Sequence, residues 1–165
     1  MAFDPAEQRR IMGSFATGVT VVTTSGEPPT GLTANAVTSL SLDPPLVLVA
    51  VDKKAGSHQA IKDAGCFAMN ILTSKQQSVS NKFATPGPKD FSDLDIKTAE
   101  TGAPIIADSL GWVDCKLSEI LPGGDHDIFI GEIVAGELPL QIGFVQVPGQ
   151  GKAGAEGGAI ELLQP

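Results

Sequence analysis

Apolar and polar positions along this chain fall mostly into short β-type runs. VTVVTT, residues 19–24, follows Gly18 and interleaves threonines with valines. The turn chemistry of GEPPT separates it from a second expected strand, about Thr30 to Ala36. LVLVAV follows Asp43-Pro44-Pro45 and is continuously apolar, which predicts a strand covered on both faces. CFAMNIL, opening at Cys66, predicts another. GWVDCKLSEIL alternates with period two: Trp112, Asp114, Lys116, Ser118 and Ile120 on one side, Val113, Cys115, Leu117 and Glu119 on the other. PGGD then turns the chain and HDIFIGEIVAGEL returns it, so a long hairpin is expected.

Helical signals are short. Asp4 with Pro5 beside it and Glu7 at the third position marks a start for AEQRRIMGSF. Ser57 reads as the cap of HQAIKDAG, which Gly65 closes. Ser74 reads as the cap of a helix from Lys75 to Phe83, which TPGP stops. Residues 86–104 are loop-rich, and no internal repeat is evident. About six or more strands with short helices, and no βαβ alternation, predict a mainly β (α+β) fold, an antiparallel barrel with helical covers.

Composition adds limits. With 165 residues, one domain over 1–147 is expected, followed by a glycine-rich flexible tail over 148–165. The chain is 42% apolar, but its apolar runs are strand-sized and MAFDPAEQRR lacks a leader's apolar stretch. A cytoplasmic protein without a membrane partner is expected. A net charge of −8 argues against nucleic acid as a partner, yet leaves room for one bound phosphate. Cys66 and Cys115 lie far apart in apolar runs, without a CxxC, so no metal site is expected.

Candidate chemistry concentrates in GLTANAVTSLSLDPP, residues 31–45. Its small side chains permit close backbone approach, and Thr33, Asn35, Thr38, Ser39 and Ser41 offer hydrogen bonds at little rotamer entropy. In one strand over 30–36, Thr33 and Asn35 share a face and Ala34 and Ala36 the other; Ser39 and Ser41, two residues apart, again share a face. A solvent-facing polar strand and turn explains the same composition. Lys53, Lys54 and Ser57 sit where a buried strand meets a helix start, either an anion site or an ordinary cap with solvated lysines. Lys82 and Phe83 close the next helix, where a lysine suits the dipole. His126 stands at the hairpin turn between Asp125 and Asp127, suited to a substrate phosphate or to solvent, whereas His58 reads as a helix-surface residue. GxSxG and Walker patterns are absent.

FATGVTVVTT, GLTANAVTSLSLDPPLVLVAVDKKAGSHQAI, CFAMNIL, NKFA and PGGDHDIFIGEI, in that order, resemble the flavin reductase domain family, the FMN-binding split-barrel proteins. The resemblance covers about Phe15 to Glu137. It implies a homodimeric split β-barrel that binds FMN or FAD and uses NADH or NADPH to reduce it, often for a partner monooxygenase. By position, Thr33, Ala34, Asn35 and Ala36 would line the isoalloxazine, and Ser39, Ser41, Lys53 and Ser57 would hold the ribityl-phosphate. Lys82 and Phe83 would close the site, and His126 would lie beside the nicotinamide. Direct hydride transfer needs no acid–base dyad, so no catalytic base is assigned. Relatives finish with an aromatic-bearing strand, then glycine and arginine. Here the segment after Glu137 holds neither tyrosine nor arginine, although Phe144 could fill one aromatic position. Two other functions therefore stand beside the first: a flavin- or haem-binding carrier or sensor, and a split-barrel reductase with another acceptor such as ferric complexes.

Overall fold

The computed structural model describes residues 3–139, so Phe144 and the tail over 148–165 lie outside the described residues. Asp4 accepts a hydrogen bond from the Ala6 N–H at 2.9 Å and Pro5 takes the first position of helix α1, Pro5–Met12. Helix α2, Gly56–Ala64, starts one residue before the expected cap. Ala55 is its cap residue, without a side-chain hydrogen bond, and Ser57 is buried within the first turn. Gly65 ends the helix at φ 64°, a conformation glycine adopts without a Cβ penalty. A short turn of 3-10 helix, Ser74–Gln76, precedes α3, Gln77–Ala84. Thr73, not Ser74, caps it, because the Gln76 side chain reaches back to accept from the Thr73 N–H at 3.0 Å.

The described residues form nine strands in chain order. They are β1 Thr20–Thr24, β2 Thr30–Ala34, β3 Val37–Leu42, β4 Pro45–Asp52, β5 Cys66–Ile71, β6 Ile96–Lys97, β7 Ile105–Ile106, β8 Gly111–Gly123 and β9 His126–Glu137. Seven form one antiparallel sheet ordered β2-β1-β5-β8-β9-β4-β3, while β6 and β7 pair separately. The expected strand over Thr30 to Ala36 stops at Ala34, and β3 begins three residues later at the opposite end of the sheet order. That step spans at most about 11 Å. Laid flat, seven strands would hold their edges about 29 Å apart, so the sheet must curl until β2 and β3 approach each other. Those two edges do not pair among the described residues. The expected antiparallel class holds, as a strongly curled sheet rather than a closed barrel.

The curl encloses Val22, Val49, Val51, Ile61, Phe67, Cys115 and Phe129, all fully buried. β4 departs from expectation here. Val47, Val49 and Val51 point inward and are buried, but Leu46, Leu48 and Ala50 on the outer face are half-buried, since nothing among the described residues covers them fully. β8 also departs, because register shifts interrupt its alternation. The shift between Leu117 and Glu119 inserts one extra residue, so Ile120, not Glu119, joins Val113, Cys115 and Leu117 at the core. The β1 threonines are buried, with Thr20 Oγ1 donating to the Ala34 carbonyl at 2.7 Å and Thr24 Oγ1 to that of Cys66 at 2.7 Å. No described helix is long and apolar enough to cross a membrane.

Candidate functional site

A cavity of about 400 Å³ opens between β2, the start of α2 and the end of α3. Leu32 and Phe83 give it apolar walls, Thr33 and Ser57 give hydroxyls, and Lys54 and Lys89 give positive charge that outweighs the one carboxylate, Asp52. Local chemistry places each. Asp52 Oδ1 accepts from the Lys54 N–H at 2.8 Å, which turns the chain from β4 toward α2. Thr33 Oγ1 donates to the Ser80 carbonyl at 2.6 Å and pins β2 to α3. Gly31 leaves the space between them: a Cβ there would lie 2.6 Å from the Val22 carbonyl oxygen and 3.2 Å from the Phe83 ring. Lys89 reaches back to the Thr85 carbonyl, and partial burial lowers its pKa. The first N–H groups of α2 add the positive end of a helix dipole. Apolar walls beside two ammonium groups and a helix start suit a flat ring carrying an anionic arm. A larger recess of about 690 Å³ contains none of the candidate residues; Asp93, Asp95 and Asp108 outweigh Lys75 on its walls, a net sign wrong for phosphate.

Thr33, Ser57 and Phe83 are the expected cofactor-binding residues that line this cavity. Ala34 is buried and its carbonyl accepts from Thr20, while Asn35 and Ala36 are exposed beyond the end of β2. The Ala36 carbonyl accepts from the Ala50 N–H at 2.9 Å. Ser39 is exposed on the edge strand β3, and a register shift separates it from Ser41, whose Oγ accepts from the Asp43 N–H at 3.3 Å. Lys53 turns away from the cavity: its Nζ donates to the Gly124 carbonyl at 2.6 Å and lies 3.3 Å from Asp127. Lys82 pairs with Asp93 and donates to the Asp90 carbonyl at 3.1 Å.

His126 opens β9, its Nδ1 2.7 Å from the Asp125 carboxylate. That hydrogen bond holds Asp125 below the usual carboxylate range. Side chains alternate along β9, so His126 and Ile128 face outward with Ala50 while Asp127 and Phe129 face the interior with Val49 and Val51. His126 thus stands on the opposite sheet face from Asp127. His58 is not a surface residue. It is 8% exposed, its Nε2 lies 2.8 Å from Asp127 Oδ2, and its ring meets the Phe129 edge at 5.1 Å. Its spacing of three from the buried Ile61 was the signal available in the sequence. Lys89, in a loop after PGP, had none.

A curled antiparallel sheet with a cationic, partly apolar cavity at a helix start defines a small-ligand-binding β domain. Residues 12–144 match the family model described as "Flavin reductase like domain", and the chain belongs to that family. It is 42% identical over 136 residues to the "NADH-dependent FAD reductase" of Streptomyces globisporus, covering 79% of this chain and 75% of that protein. Identity to a "Probable flavin reductase" of Rhizobium meliloti is 44% over 137 residues, covering 82% of this chain but 44% of the relative. The chain therefore spans less than half the length of that second relative. Among solved structures, BorF, the flavin reductase component of a bacterial two-component tryptophan halogenase, superposes with a TM-score of 0.80 at 40% identity, covering 84% of this chain and 89% of BorF.

Proposed function

We propose that this chain is an NAD(P)H:flavin oxidoreductase that reduces FMN or FAD and supplies it to a partner monooxygenase. The observation that carries this reading is the cavity lined by Phe83 and Leu32, by Lys54 and Ser57 around the start of α2, and by Lys89 from the loop after α3. The isoalloxazine would lie against the apolar wall and the 31–36 segment, with its phosphate toward Ser57 and the lysines. The Ala34 and Ala36 carbonyls are already engaged, so contact with the ring's polar edge would fall to Asn35, exposed between them. A bound flavin supplies the acceptor for a hydride from reduced nicotinamide, which leaves the protein the tasks of placement and water exclusion.

A homodimer is part of the proposal. Leu46, Leu48, Ala50 and Ile128 form a half-buried apolar face outside the curl, and His126 stands on that same face. A second copy packed there would cover the apolar surface and bring a wall to His126, the residue proposed to sit beside the nicotinamide. Cytoplasmic residence fits two buried, unbridged cysteines.

Anaerobic mixing of the protein with FMN or FAD and NADH or NADPH tests the reading. Bleaching of the oxidised flavin band in at least one combination is expected. A persistent yellow spectrum in all four would overturn it.

A further inference from the structure

His58 and Asp127 lie 69 residues apart in sequence, yet they join the two ends of the proposed site. His58 follows Ser57, which lines the cavity, and Asp127 follows His126 on β9. One Asp127 oxygen lies 2.8 Å from His58 Nε2 and the other lies 3.3 Å from Lys53 Nζ. Lys53 in turn donates to the Gly124 carbonyl, and its N–H to that of Asp125 at 3.1 Å. A single carboxylate therefore gathers the first turn of α2, the loop after β4 and the β8–β9 turn. The His58 ring is further oriented by Phe129, with planes at 85°.

A largely buried imidazole and carboxylate cost desolvation that an apolar pair would avoid. What the polar pair adds is direction. Nε2 can meet the carboxylate only when α2 and the hairpin hold one relative placement. Because His126 and Asp127 are consecutive on a strand, whatever fixes Asp127 also fixes the backbone that aims His126 outward.

We propose that His58 is a positioning residue, acting through Asp127 to fix the hairpin tip that carries His126 and the helix start that carries Ser57. The proposal rests on the flavin reductase reading for its catalytic consequence, and on geometry alone for its structural one. It assigns Lys53 to the same network instead of to the flavin phosphate.

The chain holds just two histidines, so protein labelled with 15N-histidine shows two imidazoles, and a His58 variant leaves His126 alone in the spectrum. His58→Leu should shift the His126 ring signals and, in uniformly 15N-labelled protein, the amides over 124–127. His58→Gln, which keeps an N–H donor for Asp127, should return them toward wild type. In turnover, His58→Leu should raise the KM for NAD(P)H about tenfold and His58→Gln about twofold, the scale of one charge-assisted hydrogen bond. Placed on His126→Ala, His58→Leu should add no further rise, because residues acting as one unit are not additive. Should His58→Leu fail to fold, Asp127→Asn should produce the same movement of the His126 signals. Unmoved His126 signals in a folded His58→Leu or Asp127→Asn protein would overturn the proposal, as would rises that multiply in the double variant. Absence of flavin reduction by the wild type would defeat the enzymatic reading while leaving the spectral outcome to judge His58.

Discussion

Phe83 and Phe91 meet edge to face, with ring centroids 5.2 Å apart and planes at 72°. Phe83 thereby does two things: it fills the small core beside Val21 and Ile106, and its other side walls the cavity against Gly31. It is 2% exposed, so truncation leaves a void that the packed strands β1 and β2 cannot close. Phe83→Ala should cost about 3–5 kcal/mol in urea denaturation, and Phe83→Leu about 1–2 kcal/mol. A Phe83→Ala loss below about 1 kcal/mol would show that the cavity wall is not part of the core.

Lys54 and Lys89 line the cavity, whereas Lys53 is engaged by Asp127 and Gly124. If a flavin phosphate lies at the start of α2, Lys54→Ala with Lys89→Ala should weaken FMN by about 2–4 kcal/mol while affecting riboflavin far less. Lys53→Ala should weaken FMN by under about 1 kcal/mol, because its ion pair is partly solvated. Fluorescence quenching of the two flavins gives both comparisons. A large, phosphate-dependent loss in Lys53→Ala alone would move the phosphate toward the hairpin turn.

Much of this arrangement was legible because local chemistry and pattern agree. Asp4 and Pro5 start α1 as their types dictate, and the alternation over β8 and β9 made their hairpin visible. The family resemblance pointed to residues 31–36 for the proposed ligand, and Gly31, Leu32 and Thr33 of that span line the cavity. Where the reading failed, a tertiary effect overrode a local one. Ser57 has the type of a cap, but the chain enters α2 at Ala55 and carries Ser57 inward. Ser118 marks a bulge that period-two counting cannot see, and it exchanges the faces of Glu119 and Ile120. The pairing of His58 with Asp127 joins segments whose proximity depends on the whole sheet order.

Asp127 also makes a prediction about acid stability. The hydrogen bond with His58, and then Lys53, holds its folded carboxyl below the ordinary value of 3.8. A depressed carboxylate stabilises the fold above its unfolded pKa, and this contribution fades as pH falls through the folded value. The loss therefore belongs below about pH 4, where unfolding takes up a proton. Asp127→Asn should lower the melting temperature near neutrality and make the decline below pH 4 shallower. Calorimetry between pH 2 and pH 7, on the order of the range where carboxylates titrate, measures both slopes. Parallel declines in variant and wild type would remove Asp127 from the acid transition.

Cys115 titrates in the opposite sense. Burial first, and then the neighbouring Asp114 charge, push its thiol up to about 12 from an ordinary 9.0. It is fully buried between strands of the core, beside the cluster of Phe67 and Phe129. The thiolate is the reactive form, so native Cys115 should resist a disulfide reagent at pH 8, roughly the ordinary working range of such reagents. Its neutral thiol stabilises the fold below the unfolded pKa, and that contribution is lost as pH rises from 9.0 toward about 12. Cys66 is 5% exposed, with its sulfur 3.2 Å from the Ser25 hydroxyl, so it too is shielded by packing. Mass spectrometry should therefore find neither cysteine labelled in the native protein and both labelled in denaturant. Labelling of Cys115 without loss of circular dichroism would mean that the β8–β9 hairpin opens locally, and the core drawn around Val49 and Phe129 would then be looser than its burial indicates.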